Sequence, residues 1–212
     1  MCGRCLFPGA MCCEHRGMAA FVVRHTEARD WRALRVLRLT ALRDPVAPLA
    51  FYERYRDALN LPREEWQRRA TPRADALTLV AENLREEGPE LLGMVVLLVR
   101  AEDTGDHVQL VGVYARPEYR GTGLARKLLG EAVDRAAGRE VRLFVHERNH
   151  RAARCYEALG FEPTGRSEEV PEDHPLPGRE PERAWEMALA PRPSASWSPT
   201  RATTGVFLPE SG

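Results

Sequence analysis

The feature that most constrains the fold is a strand, a glycine loop and a helix that follow one another without a break between Gln109 and Leu129. Residues 110–115 are mostly apolar, and Pro117 cannot donate to a sheet ladder, so we expect the strand to end just before it. From Leu124 the apolar residues recur at helical spacing. The pattern therefore predicts a helix that begins directly on the loop.

The loop itself, Arg120-Gly121-Thr122-Gly123, has the composition of an anion site. Its glycines let the backbone approach a ligand closely, and the first turn of a helix leaves about four N–H groups without partners. Those donors, the positive end of the helix dipole and Arg120 together predict a pyrophosphate site. The alternative is a tight turn with no ligand. A dinucleotide fingerprint would need a small residue at Arg126, and the Walker A pattern is absent.

Two sequence blocks resemble a known family. The pattern R-x-x-G-x-A, formed by Arg120, Gly123 and Ala125, resembles the coenzyme A loop of the GNAT superfamily of N-acetyltransferases. Further on, Asn149 and Tyr156 are followed by Leu-Gly-Phe at 159–161, which resembles the second signature of that superfamily. Two blocks in the expected order are more specific than either alone, and the resemblance covers roughly residues 20–190.

The remaining chain alternates strands and helices, as expected for one α/β domain. Thr26 is expected to cap the first of these helices, which begins near Trp31. We expect an α/β fold, a mixed, twisted sheet of six to seven strands with helices on both faces, which is the GNAT-like acyl-CoA N-acyltransferase fold. Strands are predicted at 20–24, 76–81, 91–100, 110–115, 141–145, 161–166 and 183–189, and helices within 31–41, 51–70, 124–136 and 151–159.

The two ends of the chain lack such patterns, so the catalytic domain is predicted to span 20–190. The spacing of the cysteines within 1–19 matches no common zinc finger, so we expect a disordered extension without metal; zinc binding and a redox role are the alternatives. Residues 191–212 are rich in Pro, Ser and Thr and are expected to form a disordered tail. The cysteines of the extension are Cys2, Cys5, Cys12 and Cys13, with His15 beside them.

Charge and hydropathy argue against two classes of partner. The 31 Lys and Arg residues balance the 31 Asp and Glu residues, so the overall charge does not favour nucleic acid or an acidic membrane. No apolar run approaches the ~20 residues that cross a bilayer, and no secretory signal is recognisable. We expect a cytoplasmic monomer or homodimer whose partner is a small-molecule or protein amine.

The resemblance implies an enzyme that moves the acetyl group of acetyl-CoA to a primary amine by direct attack in a ternary complex. The strand end Val113, Tyr114 and Ala115 would separate from its neighbour and pair with the pantetheine arm. The Val113 N–H would polarise the thioester oxygen, a contribution of about 2.7–4 kcal/mol. The pyrophosphate would be held by Arg120 and by the backbone N–H groups of Gly121, Thr122, Gly123, Leu124 and Ala125.

Two residues of the second block are assigned roles by the same resemblance. Tyr156 would contact the bound cofactor and protonate the departing thiolate as a general acid, and the alternative is a tyrosine that only packs. Asn149 would cap the short helix, bond the pantetheine amides, or do both. A catalytically silent acyl-CoA-binding sensor or interaction module is the alternative function, although an intact loop together with Tyr156 argues against it.

The general base and the acceptor site stay open. His107, His146, Glu82 and Glu147 all lie near predicted strand ends, and a chain of water molecules fits equally well, so no base is assigned. In the superfamily the segment between the first two strands forms one wall of the acceptor site. Its aromatic residues would touch substrate there, and ordinary packing is the alternative; they are Phe51, Tyr52, Tyr55 and Trp66.

Overall fold

A computed structural model describes residues 20–84, 90–101, 106–171 and 182–191, and the backbone of 206–207. The predicted extension at 1–19 lies outside these residues, as does most of the predicted tail at 191–212. Five α-helices are present in the described part of the chain: α1 (Trp31–Leu42), α2 (Tyr55–Leu59), α3 (Arg63–Ala70), α4 (Leu124–Arg135) and α5 (His150–Glu157).

The described strands form one mixed sheet, in the order β6-β7-β5-β4-β3-β2-β1-β8. β4 and β5 pair in parallel, and all other neighbours are antiparallel. Seven full strands and one two-residue strand confirm the expected architecture. The strands are β1 (Phe21–His25), β2 (Ala76–Asn83), β3 (Leu91–Arg100), β4 (His107–Ala115), β5 (Glu140–His146), β6 (Glu162–Glu169), β7 (Arg183–Leu189) and β8 (Val206–Phe207).

Helices cover both faces of the sheet, as predicted. Along β2, Leu77 and Leu79 join a core that includes α4, whereas Val80 joins a second core with α1 and α3. A strand that is covered on both faces has a nearly continuous apolar sequence. This is why apolar and polar residues show little alternation along β2. None of the described helices combines the length and the apolarity that a membrane crossing requires.

The predicted cap at Thr26 is wrong. The Thr26 side chain is buried, and its hydroxyl donates to the carbonyl of Ala70 at the end of α3, at 2.7 Å. Glu27 and Asp30 instead form a capping box around a 3₁₀ turn, Ala28–Asp30, that precedes α1. The reason is tertiary: a buried hydroxyl needs an acceptor, and α3 supplies one at this position.

The end of β4 separates from β5 on one side, and its pairing with β3 on the other side is irregular. Pairing with β5 runs from His107 to Leu110 and then stops. The register with β3 shifts beyond Val111, so that Gly112 and Val113 fall in a β-bulge, and Gly112 has a φ of +64°. Bulges bend a strand and disturb its ladder locally. The separation expected at Val113–Ala115 is therefore present, and it opens a gap between β4 and β5.

Candidate active site

A cavity of about 920 Å³ follows the gap between β4 and β5. Its wall includes Val113 in the bulge, Gly123 in the glycine loop and Tyr156 on α5. It also includes Arg38 on α1 and Trp66 on α3, which lie on the opposite face of the sheet. The volume lies within the range of small-molecule and cofactor sites. One cavity therefore reaches the end of β4 from both faces.

The glycine loop presents backbone to open space. Gly121 and Gly123 have φ of +84° and +86°, and a Cβ added to either would meet nothing within 4 Å. The first α-helical hydrogen bond of α4 runs from the Lys127 N–H to the Gly123 carbonyl at 3.0 Å. The N–H groups of Leu124 and Ala125 precede it and so have no acceptor within the helix. This arrangement fits a bound pyrophosphate.

Thr122 stabilises the loop from within. Its hydroxyl donates to the carbonyl of Tyr119 at 2.7 Å, and its backbone N–H points to the same oxygen at 3.4 Å. These contacts direct both Thr122 donors into the preceding turn. They restrict the conformation of the loop and leave Gly121 and Gly123 as its open positions.

The side chain of Arg120 is fixed by hydrogen bonds to other segments of the chain. Its Nη2 donates to Oδ2 of Asp44, which follows α1, and its Nε donates to the carbonyl of Ala115 at 3.1 Å. Its guanidinium also lies 5.8 Å from the centre of the Tyr114 ring. The side chain therefore fastens the loop to the end of β4 and to α1. Asp44 was not predicted, because in the sequence Asp44-Pro45 only marks the end of a helix.

Asn149 caps α5, which is one of its two predicted roles. Its Oδ1 accepts from the Ala152 N–H at 3.2 Å, and its Nδ2 donates to the Leu49 carbonyl at 3.1 Å. The second bond links α5 to the segment between α1 and α2. A contact between Asn149, which lines the cavity, and pantetheine stays a prediction.

Tyr156 lies between the core and the cavity. The residue is 7% exposed, and its ring packs on Phe161 with 6.0 Å between centroids. Burial raises the pKa of Tyr156 above its ordinary value, so the phenol keeps its proton at neutral pH. Burial also raises the pKa of the half-buried Cys155 thiol, which disfavours a nucleophilic role.

Of the four residues considered as bases, His146 lines the cavity. Its Nε2 lies 2.9 Å from Oε2 of Glu182, and its Nδ1 accepts from the Arg148 N–H at 3.1 Å. Nδ1 is therefore unprotonated, and Nε2 donates to the carboxylate. Because both ring nitrogens are engaged, His146 is poorly placed to take a proton from an amine.

The other three candidates lie elsewhere. His107 begins β4, at the end remote from the gap. Glu82 pairs with Arg24 at 2.6 Å, and Glu147 is exposed and accepts from the Arg183 N–H at 3.3 Å. The base stays unassigned.

A chain of alternating charges, which sequence reasoning missed, lies beside the cavity on the α1–α3 side. Glu53 accepts from Arg38 and from Arg69, at 2.8 Å each. Glu65 accepts from Arg69 at 2.9 Å and from Arg68 at 2.6 Å. Burial acts to raise the pKa of Glu53, but the two arginines outweigh it and hold that pKa below its ordinary value. One signal was available: Arg38 follows buried Leu34 by four residues, on the core-facing stripe of α1.

Three of the four aromatic residues that were predicted to touch substrate line the cavity, and the fourth does not. Phe51 and Trp66 are buried and line the cavity, and Tyr52 lines it while donating to Oε1 of Glu168 at 2.9 Å. Tyr55 is not among the lining residues and packs against the α1–α3 core. Two exposed arginines of α4 and α5, Arg126 and Arg151, also line the cavity; sequence reasoning did not select them.

The described residues contain no group of three or more His, Cys, Asp or Glu side chains arranged to hold an ion. The N-terminal cysteines lie outside the described residues.

Known proteins resemble this chain in sequence profile and in fold. The profile of the family described as Acetyltransferase (GNAT) family matches residues 31–161. An acetyltransferase of the GNAT family from Streptococcus pneumoniae superposes with a TM-score of 0.62 at 22% identity, covering 80% of this chain and 98% of that one. Among curated proteins, no sequence matches.

Two further solved structures show the same fold. YncA from Salmonella typhimurium, solved with its cofactor acetyl-CoA, has a TM-score of 0.59 at 23% identity, covering 83% of this chain and 96% of that one. The spermidine/spermine N-acetyltransferase SpeG from Vibrio cholerae, solved in mutant forms, has a TM-score of 0.54 at 22% identity, covering 80% and 93%.

Proposed function

The chain belongs to the GNAT family of acetyltransferases, and from this premise we propose that it transfers the acetyl group of acetyl-CoA to the nitrogen of a primary amine within a ternary complex. The observation that carries the proposal is the single cavity that reaches the β4 bulge from both faces of the sheet. Acetyl-CoA enters from the side of the glycine loop and α5, and the amine enters from the side of α1 and α3. The enzyme acts in the cytoplasm as a monomer or homodimer and needs no metal.

The cofactor side is built from backbone and arginine. Acetyl-CoA supplies the acetyl group as a thioester. The backbone N–H groups of Gly121, Gly123, Leu124 and Ala125 bind the pyrophosphate at the N-terminus of α4. Arg120 and Thr122 contribute by holding the loop in shape, and Arg120 adds positive charge nearby. Arg126 and Arg151 line the same cavity and supply further charge for the phosphate groups.

The bulge supplies the polarising group. Val113, Tyr114 and Ala115 follow the point at which β4 stops pairing with β5, so this edge can pair with the pantetheine arm. The Val113 N–H donates to the thioester oxygen, where negative charge develops during attack.

Tyr156 completes the transfer. The amine nitrogen forms a bond to the carbonyl carbon, and the carbon–sulfur bond breaks with its electron pair passing to sulfur. The Tyr156 hydroxyl donates its proton to that sulfur and is reprotonated from solvent. The amine proton leaves through water, since no described carboxylate or imidazole is assigned to it.

The first test is calorimetric titration of acetyl-CoA into the full chain, followed by an assay of thiol release with a panel of amines. Tyr156→Phe removes one buried oxygen and should lower kcat about 10²–10⁴-fold while the Kd of acetyl-CoA is unchanged. Tyr55→Phe, outside the cavity, is the matched control and should retain full activity.

The possible results of these experiments bear on different parts of the hypothesis. Failure of a folded sample to bind acetyl-CoA would contradict the proposal outright. Binding without turnover of any amine would favour the silent acyl-CoA-binding module. Full activity in Tyr156→Phe would remove the general-acid role and leave the transfer itself in place.

A further inference from the structure

Arg38 carries a buried donor that no described residue accepts. Its Nη1 is buried without a hydrogen-bond partner among the described residues, while its Nε donates to Glu53 at 2.8 Å. The guanidinium lies 4.3 Å from the centre of the Phe51 ring, which fixes its position. Burial lowers the pKa of Arg38 from its ordinary value, with Glu53 acting against that change. A desolvated cation with an unused N–H favours an additional anionic partner.

The charges around Arg38 do not balance. The chain of ion pairs contains three arginines, at 38, 68 and 69, and two acids, Glu53 and Glu65. Both Glu53 oxygens are occupied, Oε2 by Arg38 and Oε1 by Arg69. Among the described residues that line the cavity, Glu53 and Glu168 are the only acids. This chain of ion pairs therefore carries one positive charge in excess, and the cavity offers few acidic groups to a polycation.

The unused donor lies beside the reacting centre. A Cβ added to Gly112 would lie 3.7 Å from Nη1 of Arg38. Gly112 precedes Val113, whose N–H is assigned to the thioester oxygen, and consecutive Cα atoms are about 3.8 Å apart. An anionic group bound to Nη1 would therefore lie beside Gly112, which is the residue before the proposed site of attack. Because residue 112 has no side chain, the space between Arg38 and the strand is left open.

We propose that the acceptor is an amine that carries a carboxylate close to its amino group, as an α-amino acid does, and that Arg38 binds this carboxylate. The inference rests on the proposed function, and it makes Arg38 the residue that selects the acceptor. The carboxylate sits against Arg38 on the α1–α3 side, and the amino group points through the gap at Gly112 toward the thioester. A short spacer is required because Nη1 and Val113 lie so close.

The test compares matched pairs of acceptors. Thiol release from acetyl-CoA is measured with the common α-amino acids, with the α-amide of each, and with spermidine as the polycation. In the unmodified protein, at least one amino acid should exceed its own amide in kcat/KM by about 10–100-fold, the usual effect of one charge-assisted hydrogen bond.

Arg38→Gln should raise KM for that amino acid by about 10–100-fold, change kcat little and leave the amide unaffected, so that the preference disappears. Arg38→Lys, which keeps the charge, should restore part of it. Arg32→Gln, on the exposed side of α1, is the control and should behave as the unmodified protein. The Kd of acetyl-CoA should be the same in all four proteins, which also shows that the variants are folded.

Several results would overturn the proposal. These are equal use of acids and amides, preference for spermidine, or an Arg38→Gln variant that loses activity equally toward acid and amide. If acetyl-CoA binds and only other amines are acetylated, the proposed function stands and the assignment of the acceptor fails. If acetyl-CoA does not bind, both fail.

Discussion

Asp44 and Arg120 are 76 residues apart in the chain and form an ion pair that joins the turn after α1 to the loop before α4. The Asp44 side chain is 3% exposed, and its Oδ1 also accepts from the Val46 N–H at 3.0 Å. The pair thus connects the segment that follows α1 to the glycine loop. One buried carboxylate therefore bonds to both segments.

Asp44→Asn should lower both stability and cofactor affinity, because the partly buried Arg120 loses its charged partner. We expect the free energy of unfolding to fall by about 1.5–3 kcal/mol, the range for hydrogen bonds to charged groups. Urea unfolding measures this value, and calorimetry should show weaker binding of acetyl-CoA. Asp75→Asn is the control, because Asp75 pairs with Arg73 at 70% side-chain exposure, and its loss of stability should be clearly smaller than that of Asp44→Asn. Equal losses in the two variants would contradict a special role for Asp44.

Gly93→Ala should disturb the start of α4. An added Cβ would lie 2.7 Å from the Tyr114 carbonyl oxygen and 2.7 Å from Cδ2 of Leu124, so the backbone must shift. We expect a loss of about 1–3 kcal/mol and weaker acetyl-CoA binding. Gly130→Ala is the matched control within α4: its Cβ would meet nothing within 4 Å, and it should gain about 0.5–1 kcal/mol from helix propensity. If Gly93→Ala had no effect on stability, β3 and α4 would be able to move apart easily.

Two substitutions at Asn149 separate its two bonds. Asn149→Ala removes the cap of α5 and the bond to Leu49, and should cost about 0.5–2 kcal/mol. Asn149→Asp keeps an acceptor for the Ala152 N–H but sets a carboxylate oxygen against the Leu49 carbonyl, so it should retain only the part of the stability that the cap supplies. Chemical denaturation of both variants measures the difference. If the aspartate variant is as unstable as the alanine variant, the link to Leu49 matters more than the cap.

The ion pairs of α3 should make stability depend on pH. Hydrogen bonds from Arg68 hold the pKa of Glu65 down to about 2, with burial opposing them and Arg69 adding to them. Since the folded pKa lies below the unfolded value of about 4.3, this contribution is fully present above that value and is lost as the pH falls toward 2.

Glu65→Gln should therefore be less stable than the unmodified protein by about 1 kcal/mol at neutral pH. The difference should vanish near pH 2. Unfolding curves recorded across this range test the prediction. Glu64→Gln, at the exposed neighbouring position, is the control and should show little difference at any pH. A constant deficit in Glu65→Gln at every pH would point to packing rather than charge.

Local patterns in the sequence determined the fold. Continuous apolar runs predicted β2, β3 and β4, helical spacing predicted α1 and α4, and the glycines at 121 and 123 marked the loop between β4 and α4. These signals succeed because backbone conformation and periodic burial are set by residues close together in the chain. The two family blocks identified the fold for the same reason, since each lies within one strand–loop–helix unit.

Only the tertiary structure decided the partners. With 31 basic and 31 acidic residues in the chain, the sequence could not select Asp44 for Arg120 or Glu53 for Arg38, because ion pairs depend on proximity in space. The same holds for Thr26, whose hydroxyl donates to the carbonyl of Ala70 at the end of α3 instead of capping the start of α1. A site formed by one continuous segment, such as the glycine loop, could be predicted from the sequence. A contact between two segments that are distant in the chain could be identified only in the folded structure, where the sheet brings them together.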